Sequence, residues 1–127
     1  MKQFNTREEL LQDAINYYWG RPERRCINEN RVCVYSPREG SKSEGCAIGR
    51  LLPPELAKKL DNYPGETGVS NIDVFLDLPN WMQDLGQEFL SELQSLHDSS
   101  YFSNKDVDSI HQLMCDYVTV DNIVFPN

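Results

Sequence analysis

Cys46 follows Gly45 and stands before a turn of small residues, and His97 is followed directly by Asp98. A thiol, an imidazole and a carboxylate are the parts of a Cys-His-Asp arrangement, in which the base raises the thiolate fraction and the acid orients the base. Nothing in the spacing forces Cys46 towards His97, so a structural role stands beside the catalytic one. In that role Cys46 fills a short apolar strand, while His97 and Asp98 end a helix. A protonated His there meets the helix dipole, and the Asp turns the exit. His111 and Cys115 lie four residues apart and share a helix face. With Cys33, Cys46 or His97 they could supply the four ligands of a zinc ion. The paired spacing of a zinc ribbon is missing, so the structural role of His111 and Cys115 is to flank and fill the core. The sequence therefore predicts no catalytic set, no metal and no other cofactor. Cys46, His97, Asp98, His111 and Cys115 are the residues on which that expectation can fail.

A ligand signal lies elsewhere. Arg21, Arg24, Arg25, Arg31, Arg38, Lys42 and Arg50 fall within thirty residues, interleaved with Tyr17, Tyr18, Trp19 and Tyr35. Arg presents a planar fork suited to phosphate. Gly40, Gly45 and Gly49 let backbone approach an anion. Arg25, Arg31, Arg38, Lys42 and Arg50 are the candidate ligand-binding residues, for a nucleotide or a short oligonucleotide. The alternative is that Glu23, Glu29, Glu39 and Glu44 pair with these cations at the surface, where such pairs contribute little. Gly40-Ser41-Lys42-Ser43 does not complete a Walker A loop, so a nucleoside-triphosphatase is excluded.

These residues must be positioned by a small set of elements. Thr6-Arg7-Glu8-Glu9 has capping-box spacing, and Leu10, Leu11, Ala14, Ile15 and Tyr18 follow at helical intervals until Gly20 and Pro22 stop the helix. Val32–Tyr35 and Cys46–Gly49 read as the two strands of a hairpin around a Pro-, Gly- and Ser-containing loop. Two strands alone are marginal, so the hairpin must lean on helices. A short helix follows from Pro53 to Leu60, and another over 72–78 capped by Ser70 or Asn71. Asn80 is positioned to cap a longer helix whose stripe is Met82, Leu85, Phe89, Leu93 and Leu96. Ser103–Asp106 is a second capping box, before the stripe Val107, Ile110, Met114, Tyr117 and Val118. The tail over 118–125 is apolar enough to dock, as a strand. The expected fold class is mainly α (α+β): about five helices with one small β-hairpin, in one domain over residues 1–127.

Composition limits the function. The 127 residues carry a net charge of −8, against the basic surface that duplex nucleic acid requires. The charge is split. Residues 1–61 hold 11 of the 12 Lys and Arg with nine acids, and residues 62–127 hold Lys105 alone against 11 acids. No apolar stretch approaches a membrane span, and the N-terminus lacks the apolar core of a secretory signal. A cytoplasmic protein of a bacterial host cell, meeting a protein partner or a small anionic ligand, is the expectation. Four cysteines without a C-x-x-C pair give neither a ribbon nor a redox motif.

Cys33-Val34-Tyr35, Gly45-Cys46-Ala47-Ile48-Gly49-Arg50-Leu51-Leu52-Pro53 and Phe89-Leu90 … Leu93-Gln94-Ser95-Leu96-His97-Asp98 together resemble a family of small uncharacterised proteins from bacteria and their phages. Those proteins carry a C-x-Y strand, a G-x-x-C-A-I-G-x-L-I-P turn and an F-L-x-x-L-Q-x-x-H-D helix end. The resemblance covers most of residues 25–98; Cys26 and the tail after Asp98 lie outside the aligned part. It implies a fold and a phage or mobile-element setting, and no reaction. The function expected is a small non-catalytic interaction protein, with a phosphate-ligand binder as the alternative and a Cys-dependent enzyme after it.

Overall fold

Helix α1 (Arg7–Tyr18) begins where the Thr6 hydroxyl accepts from the Glu9 amide at 3.1 Å and donates to the Glu9 carboxylate at 3.0 Å. It ends at Gly20, whose φ of +66° suits glycine best. Residues 3–26, 34–37 and 44–126 of this computed structural model are described. After α1 come α2 (Pro54–Asp61), α3 (Ile72–Leu76), α4 (Asn80–Gln83), α5 (Gln87–Asp98) and α6 (Val107–Met114), with 3-10 turns at Pro22–Arg24, Gly49–Leu51 and Val120–Asn122. Among the described residues no helix is long and apolar enough to cross a membrane.

One apolar core ties these elements together. Leu10, Leu11, Ala14 and Ile15 of α1 meet Phe89, Leu90, Leu93 and Leu96 of α5, Ile110 and Met114 of α6, and Leu60 of α2 in a single buried cluster. Each large side chain buried there contributes about 2 kcal/mol, so the apolar stripes decide which face of each helix turns inward.

The mainly helical expectation holds; the hairpin does not. Among the described residues there is no strand. Val34 donates to the Cys26 carbonyl and Cys46 to the Val34 carbonyl, each at 3.1 Å. The Asp61 carboxylate takes the next two amides, of Tyr35 at 2.6 Å and Ser36 at 3.0 Å. A ladder cannot use amides already held by a side chain. Cys46–Ile48 then turns into the 3-10 turn at Gly49–Leu51 instead of running on as a return strand. A Cβ on Gly49 would stand 2.1 Å from the Tyr35 carbonyl oxygen, so the close crossing of these two segments requires glycine. Val32 and Cys33 lie outside the described residues.

Two helix starts also differ. The long helix expected from Asn80 is broken at Gly86, φ +97°, into α4 and α5. Pro79, not Asn80, takes the cap position of α4. Helix α6 is capped by Asp106, which accepts from Ser109, whereas the Ser103 hydroxyl turns back to the Ser100 carbonyl. Asn71 caps α3 through the Asp73 amide, one of the two residues expected there.

Candidate functional site

Helix α5 carries His97 and Asp98 on its last turn, where burial of Leu93 and Leu96 pulls the His97 ring inside. The ring is fully buried, and both nitrogens are in use. Nε2 accepts from the Cys26 amide at 3.0 Å, and Nδ1 stands 2.8 Å from Asp98 Oδ1. An amide can only donate, so Nε2 is the bare nitrogen and Nδ1 carries the proton towards Asp98. This is a neutral imidazole serving as a backbone acceptor, not a cation on the helix dipole. The dipole is met by Arg25 instead: its Nε donates to the His97 carbonyl at 3.2 Å and its Nη2 to the Asp98 carbonyl at 2.5 Å.

Cys46 is buried as well, and among the described residues no hydrogen bond joins its thiol to His97. Its buried sulfur accepts from the Gly49 amide at 3.3 Å, stabilising the turn that replaces the expected strand. Tyr18 stands between the two regions. Its ring is edge-on to His97 at 5.0 Å, and its hydroxyl donates to the Gly45 carbonyl at 2.7 Å. Burial, then the nearby Cys46 thiol, pushes the Tyr18 phenol well above its ordinary value of 10.0. His97 and Asp98 are therefore together, and the thiol bonds elsewhere.

Gln94, one turn before His97, is buried in a second polar chain. Its Oε1 accepts from the Val69 amide at 3.0 Å and its Nε2 donates to the Tyr35 hydroxyl at 2.9 Å; that hydroxyl donates to the Thr67 carbonyl at 2.5 Å. The motif residues Tyr35, Gly45, Cys46, Gly49, Gln94, His97 and Asp98 thus fasten loops to α1 and α5.

His111 and Cys115 sit one turn apart at the end of α6, the Cys115 amide donating to the His111 carbonyl at 3.0 Å. Cys115 is exposed and its thiol turns to the Gln112 carbonyl at 3.4 Å, while the His111 ring lies 5.5 Å from Phe125. Among the described residues no group of three His, Cys, Asp or Glu is placed to hold a metal.

Of the candidate ligand cations, Arg31, Arg38 and Lys42 lie outside the described residues, and Arg25 serves α5. Arg50 is buried, with 5% of its side chain exposed, and forms an ion pair with Asp13 of α1. Its guanidinium lies 5.0 Å from the Tyr17 ring centre and 5.8 Å from that of Tyr18. Arg24 lies 4.7 Å from the same Tyr17 ring and donates to the Tyr17 carbonyl. Asp13, Asn16, Tyr17, Arg24, Glu44 and Arg50 line a hollow of about 220 Å³. Arg50 Nε is buried beside it with no hydrogen-bond partner among the described residues. The contribution of Asp13 and Arg24 was not among the candidate residues, although Asp13 and Tyr17, four apart, share an α1 face.

A different kind of surface lies on α3. Among the described residues the large apolar side chains left exposed are Ile72, Leu76 and Val124, with 51%, 59% and 70% exposure. Ile72 and Leu76 are four apart on one side of α3, beside Asp73 and Asp77. No protein-family model matches the chain, and neither does any curated protein or solved structure.

Proposed function

We propose that the chain is a small non-catalytic interaction protein that binds a protein partner through the exposed face of α3. The observation that carries this reading is the pair Ile72 and Leu76, half or more exposed while the apolar stripes of the other helices are buried. Acids flank the pair: Asp73 is exposed, and Asp77 is shared with Lys59 at 3.3 Å. Their charge, and the acid surplus of residues 62–127, favours a partner segment that is apolar on one side and basic around it. The engagement of His97 and Cys46 inside the fold supports a non-catalytic role. The motif resemblance supports a phage or mobile-element accessory role.

The test is the double substitution Ile72→Lys with Leu76→Lys. The variant is expected to keep the helical circular-dichroism spectrum and to lose a partner that wild type captures, with capture by wild type weakening as salt rises. Undiminished capture by the folded variant removes α3 as the partner surface.

The hollow beside Arg24, Tyr17 and Arg50 supports a second reading, a small phosphate-containing ligand, because Arg50 Nε has no hydrogen-bond partner among the described residues. Inorganic phosphate or a nucleotide raising the melting temperature of wild type but not of Arg24→Ala supports it. Equal melting temperatures with and without these ligands remove it.

A further inference from the structure

Past the 3-10 turn at Val120–Asn122, the C-terminal segment is held to α1 by side chains. Gln12 grips both backbone poles of Val124: Nε2 donates to its carbonyl, and Oε1 accepts its amide, each at 2.8 Å. One residue of a strand holds its neighbour with the same pair of bonds. Glu8 takes the Thr119 amide at 2.8 Å. The side chains alternate as in a strand, with Ile123 buried, Val124 exposed and Phe125 half-buried. The Phe125 ring lies 5.3 Å from Trp19 and 5.5 Å from His111.

The fit is incomplete at Trp19. This side chain is 7% exposed, and its indole N–H is buried with no partner among the described residues. A buried indole N–H ordinarily finds an acceptor. The Phe125 ring packs against this indole, and among the described residues no acceptor reaches its N–H.

We propose that Glu8, Gln12, Trp19 and His111 form a receptor groove for an extended segment of a partner protein, aliphatic at one position and aromatic two residues on. Ile123-Val124-Phe125 occupies the groove as a displaceable stand-in. A partner segment of this pattern reproduces the backbone grip of Gln12 and the ring contacts of Phe125. An acceptor placed beside its aromatic ring adds the bond that Trp19 lacks. While the tail is seated, the competent fraction is small and the apparent affinity is lowered by that fraction. The groove shares no residue with the α3 surface, so the two readings fail separately.

The probe is a labelled peptide with the sequence of residues 119–126, titrated into the full chain and read by fluorescence polarisation. Phe125→Ala loosens the tail and is expected to tighten peptide binding about ten-fold over wild type. Adding Gln12→Ala is expected to abolish that gain. Equal affinity for wild type and folded Phe125→Ala, or a gain that survives Gln12→Ala, overturns the proposal. Should Phe125→Ala fail to fold, Val124→Pro serves: Ile123 already has the extended backbone that precedes proline, and the substitution removes the amide that Gln12 holds. It must give the same gain, and its failure to do so in a folded chain overturns the proposal. Peptide-free Phe125→Ala or Val124→Pro forming dimers at the peptide's expense assigns the groove to a second copy and overturns the partner segment.

Discussion

Around Gln94 and His97, polar side chains are buried and each has its partners, while on α3 and along the C-terminal segment Ile72, Leu76 and Val124 stand exposed. The buried region contains the residue types that suggest catalysis, yet every bond described there joins one part of the chain to another. The outer region leaves Ile72, Leu76 and Val124 exposed. Residue type alone does not separate these regions; they differ in whether each group is already engaged within the fold.

The comparison breaks first if the interior tolerates loss of a partner. Asp13→Ala leaves the Arg50 guanidinium buried and unpaired, and is expected to lower unfolding stability by about 3–5 kcal/mol. Urea denaturation measures it; a loss below about 1 kcal/mol means the pair behaves as a surface pair. Gln94→Ala removes the acceptor of the Val69 amide and a donor to Tyr35, for an expected loss of about 2 kcal/mol. A neutral result would show water entering where Gln94 stood.

Tyr18 sharpens the same side by pH. Its folded-state value is raised, so its contribution is fully present below the unfolded value near 10.0 and is lost as pH rises above that. Denaturation curves are expected to be flat in this respect from neutral pH to about 9 and to fall beyond 10. Tyr18→Phe should flatten that alkaline fall, and an unchanged slope would place its origin elsewhere. The smallest effect belongs to the outer region. Ile72→Lys with Leu76→Lys should change stability by less than about 0.5 kcal/mol, because neither side chain is in the core. A loss of several times that would make α3 part of the structural interior.

Much of the helical frame is legible in the sequence, because its causes are local. The Thr6–Glu9 cap, the Asn71 cap and the apolar stripes of α1, α5 and α6 lie within a few residues of what they determine. The misread elements were decided by distant partners. Asp61 takes the amides that a hairpin at Tyr35 needed. The break at Gly86 is occupied by Arg7: its Nε donates to the Leu85 carbonyl at 2.7 Å, and a Cβ at Gly86 would stand 2.8 Å from its Nη2. The site divides in the same way. His97 and Asp98 are neighbours in sequence and bond in the fold, but the Cys26 amide that fixes the imidazole lies 71 residues away. Asp13 and Tyr17 share a helix face by spacing, whereas nothing local announces that Arg50 joins them.

The central claim is that the interior motif holds the fold and α3 meets the partner. Partner capture by Cys46→Ser and by Ile72→Lys with Leu76→Lys, compared at equal folded fraction, tests it most directly. Cys46→Ser is expected to retain the partner and the α3 variant to lose it. Loss with Cys46→Ser and retention by the α3 variant would contradict the account and return the function to the thiol.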